Sequence, residues 1–209
     1  MIKRLVVGQF QANCYIMVDE ATASAAIIDP GDEALVISRV IKESGAKLTH
    51  IMMTHIHPDH VLAAGKLQDE YPDAAVMVHQ DDMPFLLEDM IELAAFSFDL
   101  SDCKPFHPTM YFEDGQQLKV GEMEIKVIHT PGHTPGGVCL SVDKVLFTGD
   151  TLFASGIGRT DLSGGSYEQL MHSIREKLLV LPEETTIYPG HGPESTIGKE
   201  KRSNPWLVG

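Results

Sequence analysis

With 209 residues, 43% of them hydrophobic and 22% charged, the chain has material for one globular domain with a substantial core, read here as a single unit over residues 1–209. Its formal net charge of −14 argues against a phosphate backbone or an anionic membrane surface as partner, and no apolar run is long enough to span a bilayer. Cys14, Cys103 and Cys139 are odd in number, far apart and without a CxxC pair, so a disulfide framework is not expected and a reducing, cytoplasmic setting is.

The opening "MIKRLVVGQFQANCYIMV" is broken by Gly8, Gln9, Gln11 and Asn13 and reads as strand rather than signal peptide. Residues 13–19 and 24–29 are further strand candidates. "DPGDE" then stops the chain and opens a helix, with Asp32 as N-cap, Val36, Ile37, Val40 and Ile41 at helical spacing, and Gly45 as stop. "LTHIMM" (48–53) is a buried strand. Pro58 suits the first turn of a helix running to Tyr71, and 74–79 is another strand. The Met- and Leu-rich stretch 81–100 reads as helical, and 107–148 as a meander with a tight turn at Asp143-Lys144. Over 166–181, Ser166 and Gln169 fit a capping box, while Leu170, Ile174, Leu178 and Leu181 line one face. "TTIYPGHG" is a last short strand. Strands inside with helices between and after them predict an α/β or α+β sandwich, with functional loops at strand ends.

The chemistry concentrates in "THIHPDH" (54–60). A residue before proline favours extended backbone, so His55 and His57, two apart, share one face. Asp59 and His60 fall in the following helical turn, where a carboxylate is stabilised by exposed amides. Two pairs of donors aimed from different places suit two metals better than one. Three other places offer partners, each at a strand exit with glycine nearby: His133 in "HTPGHTPGG", Asp150 in "FTGDTLF" and His191 in "YPGHG". His50, His79, His107, His129 and His172 lack such context and read as structural or surface residues. Asp29, in "IIDPG", either orients a ligand histidine or caps a turn.

The order HxHxDH, then His, Asp and His, resembles the metallo-β-lactamase superfamily across nearly the whole chain. "TPGHTPGG", "GDTLFASGIGRTD" and "GHGPEST" look most like its glyoxalase II (hydroxyacylglutathione hydrolase) group, in a short bacterial form. The resemblance implies an αββα sandwich, two central mixed sheets flanked by helices, with the metal site at one edge. It implies that His55, His57 and His133 hold one divalent ion, that Asp59, His60 and His191 hold a second, and that Asp150 bridges them. Zinc is the expected metal, with iron or manganese as alternatives. The expected reaction is hydrolysis of a small-molecule thioester of the S-acylglutathione (S-lactoylglutathione) type by a hydroxide between the ions. Asp59 would help position the nucleophilic water or take its proton, and Arg159 would hold a substrate carboxylate or else pair with Asp161. The alternative is a persulfide dioxygenase with mononuclear iron on His55, His133 and Asp150. A β-lactamase is disfavoured because Asp150 stands where that class usually has Cys.

Overall fold

The computed structural model describes residues 1–86 and 103–208. Two six-stranded mixed sheets face each other. The first runs in spatial order β1 (Ile2–Val7), β2 (Ala12–Asp19), β3 (Ser24–Ile28), β4 (Lys47–Met52), β5 (Ala75–His79) and β6 (Met110–Phe112), antiparallel up to β3 and parallel thereafter. The second contains β7 (Gln117–Val120), β8 (Met123–His129), β9 (Val138–Val142), β10 (Val145–Gly149), β13 (Thr186–Pro189) and β14 (Ser195–Thr196); only β10 and β13 pair in parallel. A small hairpin of β11 (Leu152–Phe153) and β12 (Gly156–Ile157) follows β10. The helices are α1 (Ala34–Ser44), α2 (Pro58–Val61), α3 (Ala64–Glu70), α4 (Tyr167–His172) and α5 (Ile197–Ser203).

The layers follow from the two-residue period of strands. Tyr15, Met17, Ala26, Ile28, Met52 and Met77 meet Ile125, Val127, Val138, Leu140 and Phe147 between the sheets. The alternate residues Cys14, Ile16, Val18, Ala25 and Ile27 face outward under Ile37 and Ile41 of α1 and Ala64 and Leu67 of α3. On the far side Ile128, Cys139, Leu146 and Ile187 lie under Leu170, Ile174, Leu178 and Ile197. Covered on both faces, β2 is buried at all eight positions. The result is the αββα sandwich that the sequence resemblance implied. Cys14 and Cys139 are buried and Cys103 is half-buried, all three as free thiols. No helix among the described residues is long and apolar enough to cross a membrane.

Several boundaries differ from expectation. Glu33, at φ 56°, precedes α1 and no side chain caps it; Asp32 instead accepts from the Glu33 amide at 2.6 Å, while Gly45 closes the helix as expected. The helix expected from Pro58 to Tyr71 is broken between Val61 and Ala64. The Ala63 amide donates to Pro30 O at 3.0 Å, and Gly31 packs against Asp59 O so closely that a Cβ there would overlap it. The Pro30-Gly31 turn thus takes the place of one intrahelical bond. Strand β6 leaves the expected meander and pairs with β5 in the first sheet. Ser166 caps α4 from Gln169 N, but the helix widens to π geometry over Ser173–Leu178. That turn keeps Ile174 and Leu178 in the core while Ser173 Oγ and Lys177 Nζ bond the carbonyls of Pro131 and His129. Of the expected helix at 81–100, a 3-10 turn at Gln80–Asp82 is seen and residues 87–100 lie outside the described residues. Helix α5, capped by Thr196 from Lys199 N, was not anticipated.

Candidate metal centre

All seven sequence-selected ligands meet at one edge of the sandwich, where β4, β8, β10 and β13 end. His55 to His60 follow β4, His133 lies in the β8–β9 loop, Asp150 follows β10 and His191 follows β13. Backbone bonds fasten these ends together: Val138 N to Thr54 O at 2.8 Å, Gly190 N to Gly149 O at 2.7 Å and Asn13 N to Gly190 O at 2.7 Å. The seven side chains therefore rest on sheet ends rather than on free loops.

The donors fall into two sets. One nitrogen each from His55, His57 and His133 lies within 4.8 Å of the others, and so do donor atoms of Asp59, His60 and His191. His57 Nδ1 faces His133 Nε2 at 2.8 Å, and His191 Nε2 lies 3.3 Å from His60 Nε2 and 3.1 Å from Asp59 Oδ2. Asp150 touches both sets: Oδ1 is 3.5 Å from His60 Nε2, and Oδ2 is 3.7 Å from both His133 Nε2 and His191 Nε2.

Outer partners fix which nitrogen of three rings points inward. His133 Nδ1–H donates to Arg159 O at 2.7 Å. His60 Nδ1–H donates to Asp29 Oδ2 at 3.2 Å. Thr54 donates its hydroxyl to Asp29 Oδ2 at 2.8 Å and so accepts from His55 Nδ1–H at 3.1 Å. These bonds turn Nε2 of each ring toward the centre, the arrangement that orients metal-bound imidazole. Asp29 is therefore an orienting residue, and it tethers the Thr54 amide as well, at 2.7 Å.

The residues fit divalent metal. His55 Nε2 and Asp150 Oδ1 are buried and make no hydrogen bond among the described residues. Leaving such atoms bare costs about 1–3 kcal/mol each, a cost that coordination removes. Gly190 closes the cradle, since a Cβ there would strike Asp150 Oδ1 and His60 Cε1.

The two sets differ electrically. Burial and the neighbouring imidazoles push His55 far below the usual histidine range, and burial with His133 holds His57 down to about 3. Burial also lowers His133, against the pull of Asp150. Every shift in that triad favours the neutral imidazole with its lone pair. In the other set burial opposes charge, but Asp59, Asp150 and Asp29 together raise His60 to about 10. His191 is raised by its bond to Asp59, again against burial, and Asp59 is held well below the carboxylate range by His60 and His191, although burial works against it.

One further residue was not found from the sequence. Asp82, 1% exposed, accepts from Gly136 N at 2.5 Å and Thr134 Oγ1 at 3.0 Å and so pins the loop carrying His133. Its partners lie more than fifty positions away, and nothing local marks it. Arg159 contributes its carbonyl to His133, while its guanidinium makes paired bonds to Asp161 at 2.7 and 2.8 Å. Of the histidines set aside, His79 and His129 stack on each other.

Residues 7–191 match the profile of the metallo-beta-lactamase superfamily. The chain is 42% identical to the hydroxyacylglutathione hydrolase GloC of Haemophilus influenzae, over 99% of this chain and 97% of that one. Among solved structures it is similar to the BLEG-1 B3 metallo-beta-lactamase, with 35% identity, TM-score 0.89 and full coverage of both chains. It is likewise similar to TTHA1623 in a di-iron-bound form, with 34% identity, TM-score 0.88, and 98% of this chain and all of that one covered.

Proposed function

The chain belongs to the metallo-β-lactamase superfamily, and we propose that it is a two-metal hydrolase of a thioester of the S-acylglutathione type, with S-lactoylglutathione as the representative substrate. The reading rests above all on one observation: two three-donor sets stand side by side, with Asp150 in contact with both. The hydroxyacylglutathione hydrolase named among the relatives supports the choice of thioester.

In this reading His55, His57 and His133 hold one ion, Asp59, His60 and His191 the other, and Asp150 both. Zinc suits so imidazole-rich a set, and a di-iron relative makes iron the second choice. Two such ions supply an activated water and positive charge for a developing oxyanion and departing thiolate. The protein supplies the rest. Asp29, Thr54 and Arg159 O hold the imidazoles in one tautomer. Asp59 Oδ2, beside His191 Nε2 at 3.1 Å, positions the attacking water by accepting a hydrogen bond from it. Arg159 exchanges Asp161 for a carboxylate of the thiol carrier, its side chain being 60% exposed.

The test is elemental analysis of the purified protein followed by three assays on the same preparation. Two metal equivalents and cleavage of S-lactoylglutathione are expected. One iron with oxygen uptake on a glutathione persulfide would replace this reading by the dioxygenase one. Opening of a β-lactam without thioester cleavage would also overturn it, an arm that the similarity to BLEG-1 calls for.

A further inference from the structure

We infer that Glu200, in the C-terminal helix α5, is a positioning residue for the metal centre and acts on it through the β11–β12 hairpin; the inference rests on the ligand assignment proposed above. The hairpin leaves the site at Asp150 and returns to it at Arg159, whose carbonyl accepts from His133 Nδ1–H at 2.7 Å. Its returning foot has no room for a side chain: a Cβ on Gly158 would overlap Asp150 O and press on His133 Nδ1. Gly158 N donates to Thr151 O at 3.3 Å and closes the base of the hairpin beside Asp150. Phe153, on the outgoing strand, lies edge-on to His191 with ring centroids 6.4 Å apart. One short hairpin therefore carries the bridging carboxylate and touches a histidine of each donor set.

The tip of the hairpin is held from outside the site. Ser155 sits there at φ 62°, a left-handed conformation that a residue other than glycine keeps only where its surroundings fix it. Its amide donates to Glu200 Oε2 at 2.7 Å. Asn204 Nδ2 donates to the same oxygen at 2.9 Å and to Gly156 O at 3.0 Å, so two successive residues of the tip are gripped. Glu200 Oε1 accepts from the Ser195 hydroxyl on β14. Glu200 and Asn204 are fully buried, and the three donors that Glu200 meets are an amide, a carboxamide and a hydroxyl, all uncharged. Burying a carboxylate among neutral groups is costly, and packing alone would favour an apolar side chain at that place. What the carboxylate adds is a pair of fixed acceptors, one of which clamps the hairpin tip.

The hairpin is short enough to transmit that clamp. Ser155 lies five positions after Asp150 and four before Arg159, so a tip released from Glu200 lets both feet shift. One foot aims the bridging carboxylate, and the other fixes the His133 ring through the Arg159 carbonyl. Loosening the groups that orient metal ligands weakens binding by about 10- to 100-fold. Helix α5 thereby reaches the metal centre without contributing an atom to it.

The experiment is cobalt(II) titration of metal-free wild type, Glu200→Ala, Glu200→Gln and Asn204→Ala, with the visible bands of the cobalt-loaded proteins as a report of ligand geometry and far-UV dichroism as a check on folding. Glu200→Ala should bind cobalt about tenfold or more weakly, with altered visible bands. Glu200→Gln should restore both, because its Oε1 can accept from Ser155 N and Asn204 Nδ2 while its Nε2 donates to a Ser195 hydroxyl turned to accept. Asn204→Ala frees Gly156 O but leaves the Ser155 bond, so it should fall between wild type and Glu200→Ala, and it decides the matter should Glu200→Ala fold poorly. A folded Glu200→Ala, or Asn204→Ala in its place, with wild-type affinity and bands overturns the inference, as does a Glu200→Gln as weak as Glu200→Ala. One equivalent in wild type would count against the two-ion reading instead, and the variants would still decide the role of Glu200 on the ion that is bound; no uptake at all overturns both.

Discussion

Asp29→Asn separates the orienting role of this carboxylate from its role in folding. Asp29 sits at φ 54°, a left-handed conformation that asparagine also tolerates, so the backbone is not the variable. The amide oxygen can still accept from the Thr54 N–H now bound at 2.7 Å. The amide nitrogen then replaces Oδ2 and confronts two donors, the Thr54 hydroxyl at 2.8 Å and His60 Nδ1–H at 3.2 Å. The hydroxyl escapes by rotating. His60 escapes only by moving its proton to Nε2, which removes the lone pair it aims at Asp150 and His191. Loss of such an outer partner weakens metal binding by roughly 10- to 100-fold, or about 1.4–2.7 kcal/mol. The measurement is zinc titration of metal-free protein. The first equivalent should bind nearly as in wild type and the second 10- to 100-fold more weakly, a loss on the order given above. Two equivalents bound with unchanged affinities would refute the reasoning and leave Asp29 as a turn cap for Thr54.

The remaining predictions concern the same corner. Asp150→Ala should lose metal at both positions; full metal content would show that Asp150 does not bridge. Gly190→Ala should displace Asp150 Oδ1 and His60 Cε1, lowering metal content while the far-UV spectrum stays as in wild type. His60, raised to about 10 in the metal-free protein, must give up its proton to act as a ligand. Metal uptake by its set should therefore release at least one proton and strengthen about tenfold per pH unit as pH rises toward that value, read by calorimetry in buffers of different ionisation enthalpy. Proton-neutral uptake at pH 7 would count against the assignment. Asp82→Ala strands the buried Gly136 amide and should cost about 1–3 kcal/mol in denaturant unfolding and weaken the His133 set. Asp82→Asn should restore most of it, since the amide oxygen serves Gly136 and the Thr134 hydroxyl can turn to accept.

What could be read in the sequence was whatever the chain keeps local. Four of the seven ligands lie within six consecutive positions, and each of the other three follows a strand beside a glycine, so the set could be assembled from spacing and order. The strands were legible because burial on both sides leaves nearly continuous apolar runs, as in β2. Tertiary bonds account for what was missed. The helix after Pro58 has no breaker of its own; it breaks because the Ala63 amide finds Pro30 O, and Gly31 packs on Asp59 O. That one contact also explains why Asp29 serves the site. The turn that interrupts the helix is the turn that carries Asp29 against His60, so strand end, helix break and ligand orientation are one packing event. Asp82 and the His79–His129 stack belong to the same class. Each joins residues about fifty positions apart across the two sheets, and no period of two or 3.6 carries information over that distance. The sheet ends make the site, and the buried carboxylates that lock those ends together can be recognised only once the sheets are face to face.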